Sequence, residues 1–384
     1  MTPIDRAALK AEVLDWIASW LRSDSGAADP AGERFDSLAL RLFAFQFEHI
    51  PAFAAFCRFR GATPDTVHAV SQIPLVPVTA FKSARLATDA AAQAPVAVFE
   101  TSGTSDGQPG RVTLHDTSLY DASLHAGFQY FVTPDATPGG LRCVSLVPGP
   151  AVRPHSSLGH MVQRLFQRWD DGGGSSHLGM SAAVPGLDLD GLHRALHRAR
   201  DDGRPVLLLA TSLALELWLD SAPAGLRLPL PPGSRLMDTG GPKGRRLQLT
   251  RADQHARLGE ILQLDADLLV GELGMTELAT PRYETTARHR LKGDVAACRA
   301  HAAPPWLRSR ILRPADRFPC EDGALGMVAH LDLANLDTCA FLLTADLGRL
   351  VAVEGAGQAL ELAGRIPGSE WRGCGLDAED LVQG

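Results

Sequence analysis

Residues 99–111, Phe-Glu-Thr-Ser-Gly-Thr-Ser-Asp-Gly-Gln-Pro-Gly-Arg, carry an apolar strand into a loop crowded with hydroxyls and glycine. Backbone N–H groups in such a loop can converge, and small side chains let phosphate oxygens come close, so the chemistry it suits is phosphate binding. It lacks the Gly-Lys-Ser/Thr ending of a Walker A loop. By itself, a Ser/Thr/Gly loop is more often a solvated turn.

Three further stretches follow in order. Thr239-Gly240-Gly241-Pro242-Lys243-Gly244 is a second glycine turn. Gly271-Glu272-Leu273-Gly274-Met275-Thr276-Glu277 sets a hydroxyl beside a carboxylate after an apolar strand. Thr344-Ala345-Asp346-Leu347-Gly348-Arg349 closes another apolar run, and Gly364-Arg365 begins the last segment. Lysine is scarce: Lys10, Lys82, Lys243 and Lys292 are the four in the chain. A compact ammonium with a tunable pKa does what a guanidinium cannot, which draws attention to Lys243 in its glycine turn.

The succession of these motifs resembles the adenylate-forming superfamily of acyl-CoA ligases, luciferases and peptide-synthetase adenylation domains. Within it the chain is most similar to the acyl-protein synthetases of the bacterial bioluminescence fatty-acid reductase system. IPLVPVTAFK, ETSGTS, HDTSLYDAS, HSSLGHM, GGPKGR, GELGMTE and LDLANLDTCAFLLTADLGRL through GRIPGSEWRGCGLDAEDL carry the likeness over most of the chain. The resemblance implies ATP and Mg²⁺ as cofactors and an acyl adenylate as product. It assigns the β and γ phosphates to Thr101, Ser102, Gly103, Thr104 and Ser105, and the adenine side to Gly240, Gly241 and Pro242. Thr276 is expected at the α phosphate, Glu277 at Mg²⁺, Asp346 at the ribose hydroxyls and Arg365 at a hinge.

The chain departs from the superfamily pattern in two places. Ser105 and Asp106 stand where a threonine and glycine are usual, and Arg111 stands in for the usual lysine. Only 20 residues follow Gly364, where most members carry a mobile domain with a catalytic lysine. Lys243, and after it Lys82, is the expected replacement cation. Acyl-protein synthetases take the acyl group onto their own cysteine near the C-terminus and pass it to a partner reductase; Cys374, flanked by Gly373 and Gly375 and near Arg372, is the matching residue. His155 is a candidate for the acyl pocket. His193 and His197, four apart on a helix, lack the carboxylate of an HExxH site and read as solvent-facing.

These residues need elements to hold them. Leu9, Val13, Trp16, Ile17, Trp20 and Leu21 recur at helical spacing behind Thr2 as N-cap and Pro3, and a second helical region runs over 38–59. Beyond Pro77, short apolar runs at 95–99, 141–147, 205–210 and 265–274 alternate with helical or loop segments, the pattern of an α/β fold with a largely parallel sheet. The expected organisation is a helical N-terminal segment over 1–94, an adenylation core over 95–363 and a vestigial C-terminal extension over 364–384.

Composition limits the alternatives. The chain has 384 residues with 45% hydrophobic content, enough for a substantial core, and 37 basic against 44 acidic side chains give a formal charge of −7. A protein built to grip nucleic acid normally carries a basic excess. No run approaches the roughly 18 apolar residues of a membrane span, and Asp5, Glu12 and Asp15 do not suit a signal peptide, so the expected location is cytoplasmic. The six cysteines are scattered without a CxxC pair and are expected to be free thiols. The expected activity is an AMP-forming acid–thiol ligase of the long-chain-fatty-acid or acyl-protein synthetase type, with a reductase or carrier protein as acyl acceptor. A stand-alone ligase delivering acyl groups to a carrier protein or CoA, and a degenerate nucleotide-binding subunit without catalysis, are the alternatives.

Overall fold

The structure is a computed structural model; it describes residues 4–23, 32–88, 94–101, 109–173, 176–179, 186–240 and 249–366. The chain forms two compact units. One takes the described residues of Met1–Gly127, Met275–Pro281 and Ala302–Gly384, the other Phe128–Gly274 and Arg282–His301.

In the first unit, the helix Arg6–Ser23 buries Leu9, Val13, Trp16, Ile17 and Trp20, the stripe its spacing predicts. The helix begins at Arg6, later than the sequence suggested. Asp5 takes the capping role, accepting the Ala7 N–H at 2.9 Å, because an aspartate side chain satisfies an orphan donor of the first turn. Thr2 and Pro3 lie outside the described residues. The helical region read over 38–59 is two helices, Glu33–His49 and Pro51–Phe59. Pro51 forces the preceding Ile50 into extended backbone (φ −119°, ψ 94°) and then starts the next helix at its first position.

The antiparallel strands Leu307–Leu312, Gly326–Asp332, Phe341–Val353 and Gly357–Arg365 follow one another in this unit. The short strand Val76–Pro77 pairs in parallel with the start of Phe341–Val353. Ala97–Glu100 and Arg111–Leu114 form a separate antiparallel hairpin. Trp306, fully buried, packs edge-on against Trp20 at 5.2 Å between ring centroids, tying the first helix to the core.

The second unit carries the parallel sheet expected of an α/β fold. Its strands lie in the order Ser176–His177, Arg142–Ser145, Val206–Thr211, Arg235–Thr239, Leu269–Leu273, all parallel, with Arg282–Tyr283 antiparallel at the end. Numbered along the chain this is 2-1-3-4-5, a doubly wound order whose direction reverses between Arg142–Ser145 and Val206–Thr211. Its core includes Val144, Leu208, Leu236, Leu215 and Trp218. Among the described residues, no helix is long and apolar enough to cross a membrane.

Candidate active site

The hairpin of the first unit closes the hydroxyl-rich loop at its base. Thr101 donates its N–H to the Gly110 carbonyl at 2.9 Å, and its Oγ1 accepts the Gly110 N–H at 2.9 Å. A Cβ on Gly110 would stand 3.1 Å from both the Phe81 Cβ and Thr101 Oγ1, so a side chain there would press on both neighbours. Thr101 thus fixes where the loop begins and ends. Ser102, Gly103, Thr104 and Ser105 lie outside the described residues. Arg111 pairs with Glu100 at 3.2 Å on the surface.

Thr276 and Glu277 sit on Met275–Pro281, which has no regular secondary structure; Glu277 is buried and Thr276 half-buried. The segment is held by Asp332 and Asn335 of the same unit. Asn335 Nδ2 donates to the Glu277 carbonyl at 2.7 Å. Asp332 Oδ2 accepts the N–H groups of Ala279 and Thr280, each at 2.9 Å, while Oδ1 accepts the Thr280 hydroxyl at 2.7 Å and the Ala334 N–H at 3.0 Å. Burial drives the Asp332 carboxyl up, and the four donors recover part of the shift, leaving it at about 6.

Asp346 and Arg365, assigned separate roles by the resemblance, are brought together. They are register partners in the Phe341–Val353 and Gly357–Arg365 pair, and Arg365 Nε donates to Asp346 Oδ1 at 3.2 Å. Arg365 is largely exposed, at 71% of its side chain. The ion pair therefore contributes little to stability.

In the second unit, Gly240 follows the strand Arg235–Thr239 in left-handed conformation (φ +83°). It stands at the carboxyl end of the parallel strands, where doubly wound sheets take their ligands. The Ser212 hydroxyl lies 2.6 Å from the Gly240 carbonyl and 3.1 Å from Asp238 Oδ2, a shared donor at the start of the helix Ser212–Ser221. Asp238 Oδ1 accepts from Arg251 Nη2 at 2.9 Å and faces His255 Nε2 at 3.0 Å. Burial alone would raise the Asp238 carboxyl, but the His255 hydrogen bond and the Arg251 charge override it and hold it at about 2.

Arg251 also pairs with Glu284 at 3.0 Å, and Glu284 in turn accepts Arg299 at 2.7 Å and the Gly271 N–H at 2.8 Å. Beside them Thr239 donates to Glu272, its register partner on the next strand. Asp238, Arg251, His255, Glu284 and Ser212 were not singled out in the sequence. Their signal is faint: an aspartate between an apolar strand and a glycine pair, and an arginine and a histidine four apart on the helix Arg251–Leu262.

Gly241, Pro242, Lys243 and Cys374 lie outside the described residues. Lys82 is exposed at the end of a short 3₁₀ helix, Val78–Lys82. His155 is exposed just before the helix Ser157–Trp169, which Ser156 caps by accepting the Gly159 N–H at 3.0 Å. His193 departs from the solvent-facing reading: it is half-buried and its Nε2 accepts the Trp218 indole N–H at 3.1 Å. The five described cysteines are free thiols, and burial pushes those of Cys57, Cys143 and Cys339 up.

No protein-family model matches the chain. Over 140 residues it is 26% identical to "Long-chain-fatty-acid--luciferin-component ligase" of Aliivibrio fischeri. That match spans 35% of this chain and 34% of the relative, about a third of the relative's length. Among solved structures it is similar to 2-hydroxyisobutyryl-CoA ligase in complex with 2-HIB-AMP and CoA. In the thioesterification state the TM-score is 0.62 at 16% identity, over 88% of this chain and 69% of the other. In an open conformation it is 0.60 at 15% identity, over 89% and 72%. The chain has the fold of the adenylate-forming ligases, and over about a third of its length its sequence is similar to that of a long-chain-fatty-acid–luciferin-component ligase.

Proposed function

We propose that this chain activates a carboxylic acid with ATP and transfers the acyl group to a thiol, with Cys374 as first acceptor and a protein partner, a reductase or carrier, as the next. A carboxylate at neutral pH is a poor electrophile. In the first step its oxygen attacks the α phosphorus of ATP, the bond from that phosphorus to the β-bridging oxygen breaks, and pyrophosphate leaves with the electron pair. In the second step the Cys374 thiolate attacks the acyl carbon, the bond to the AMP oxygen breaks, and the thiol proton goes to solvent.

The observation that carries this reading is the restraint of the backbone that bears Thr276 and Glu277, where Asn335 takes the Glu277 carbonyl and Asp332 the N–H groups of Ala279 and Thr280, within a fold shared with ligases. A hydroxyl, and a carboxylate acting through the cation it holds, carried on a restrained backbone can stabilise charge as it develops on the phosphate oxygens. The donor set suits Mg²⁺, which takes one or two carboxylates together with substrate phosphates, and Glu277 would hold it. When bound, Mg²⁺ neutralises charge on the phosphate oxygens. Thr276 would then contact the α phosphate, the hydroxyl-rich loop from Thr101 to Ser105 would take the β and γ phosphates, and Gly240, Gly241 and Pro242 would flank adenine. Asp346 would meet the ribose, Arg365 would restrain Asp346, Lys243 would supply the compensating cation, and His155 would border the acid.

Intact-mass measurement after incubation with ATP, Mg²⁺ and acid tests the transfer step. A hydroxylamine-sensitive gain of one acyl group, absent in Cys374→Ala, is expected. Full turnover in Cys374→Ala with CoA or a carrier protein as acceptor would instead mean that the cysteine is a bystander.

A further inference from the structure

We propose that Gln46, Asn335 and Asp332 are positioning residues for Thr276 and Glu277, so that the N-terminal helices act as part of the activating machinery. The inference rests on the acid-activation reading for what Thr276 and Glu277 do, but its geometric basis is independent of it.

Met275–Pro281 is irregular, with one turn of its own in which the Leu278 N–H donates to the Met275 carbonyl at 3.1 Å. Its course is fixed by the turn over 332–340, from which Asn335 takes the Glu277 carbonyl and Asp332 takes the two N–H groups beyond it. One carboxylate and one amide thus bracket the peptide that follows Glu277. The turn has in turn been fixed from the helix Glu33–His49. Gln46, with no exposed surface, directs Nε2 at the carbonyls of Asn335, Leu336 and Thr338, at 2.7, 3.3 and 2.7 Å, and accepts the Ala340 N–H on Oε1 at 3.0 Å.

An amide buried among the phenylalanines of that helix is costly unless satisfied, and these four bonds of Gln46 all go to a single turn. Arg6 of the first helix reinforces the same turn with a two-pronged pair to Asp337, at 2.8 and 2.6 Å.

A directed chain of hydroxyls completes the arrangement. Trp306 Nε1 can only donate, and it donates to Ser123 Oγ at 2.7 Å; a carboxylate can only accept, and Asp332 accepts from Thr280 at 2.7 Å. The Ser123 hydroxyl must therefore donate to Thr280 Oγ1, 2.8 Å away. Each hydroxyl has its proton committed, so the Thr280 side chain, three residues beyond Glu277, has one orientation.

The test uses the full chain and two readouts. In hydrogen–deuterium exchange without nucleotide, Asn335→Ala is expected to speed exchange over 276–280 about ten-fold or more, with the strand Gly326–Asp332 unchanged. In acid-dependent pyrophosphate exchange, it is expected to lower kcat by up to about 10²-fold with the ATP KM nearly unchanged, the signature of misplaced groups. Thr280→Ser, which keeps the donor, is expected to retain the wild-type rate, and Thr280→Val to lose it; this pair decides the matter if Asn335→Ala fails to fold. Gln46→Glu, which turns a carboxylate toward three carbonyls, is expected to behave as Asn335→Ala.

Wild-type kcat and wild-type protection over 276–280 in the Asn335 variant, or equal rates in Thr280→Ser and Thr280→Val, would overturn the inference. Absence of exchange activity in the wild-type chain would remove the acid-activation reading instead, leaving the hydrogen-exchange comparison to decide whether Asn335 positions the segment.

Discussion

A Cβ on Gly271 would stand inside the guanidinium of Arg251. The glycine of the GELGMTE stretch is therefore the space in which the half-buried Arg251 reaches both Asp238 and Glu284, whose carboxylates are buried.

Gly271→Ala is expected to push the Arg251 guanidinium aside and weaken its pairs with Asp238, which keeps His255 and Ser212, and with Glu284, which keeps Arg299, a loss of about 1–3 kcal/mol. Urea unfolding followed by tryptophan fluorescence measures it. Because the clash is with Arg251 itself, Gly271→Ala and Arg251→Gln should be strongly non-additive; simple additivity would mean that the two residues do not share that space.

Asp238 and Asp332 should tilt the pH profile of stability in opposite directions. Asp238 is depressed to about 2 when folded, so its contribution, roughly 2–3 kcal/mol, is fully present above an unfolded value of about 3.9 and is lost as pH falls through about 2. Asp332 is raised to about 6. The stability favoured by its protonated form is full below about 3.9 and is lost as pH rises through about 6, by roughly 2–3 kcal/mol. Unfolding free energies from pH 2.5 to 7 for the wild type, Asp238→Asn and Asp332→Asn check both signs. An unchanged acid limb in Asp238→Asn would contradict the first, and an unchanged slope between pH 4 and 6 in Asp332→Asn the second.

The difference between these groups and the motifs explains what could be read from the sequence. The buried stripe of the first helix and the short apolar strands 206–211 and 269–273 announce themselves, because helical and extended periodicity are local. Pro51 divides one apparent helix into two, also by a local rule. Asp332 and Gln46 give no such signal. Their role arises from contacts with residues more than 50 and more than 280 positions away, and a buried glutamine on a helix reads in sequence as any polar residue. Asp346 and Arg365 were both singled out, yet their pairing depends on strand register, which neither motif encodes.

That pairing carries its own expectation. Arg365→Ala should change stability by less than about 1 kcal/mol, since the guanidinium is mostly exposed. Asp346→Ala should raise the ATP KM if its carboxylate meets the ribose. Steady-state kinetics across ATP concentrations checks this; an unaltered KM in Asp346→Ala would remove that residue from the nucleotide site.

Replacing Glu277 separates metal use from folding. Glu277→Gln keeps size and burial, so the unfolding midpoint should stay near wild type while the Mg²⁺ concentration needed for half-maximal exchange rises about ten-fold or more. An unchanged Mg²⁺ requirement would assign the metal to another carboxylate.

The most direct measurement is acid-dependent exchange of labelled pyrophosphate into ATP by the purified chain, run with panels of aliphatic, aromatic and amino acids. Exchange with at least one acid class, abolished by Glu277→Ala and severely reduced by Lys243→Ala, is the expected result. Binding of ATP without exchange for any acid would contradict carboxylate activation and make the chain a nucleotide-binding protein.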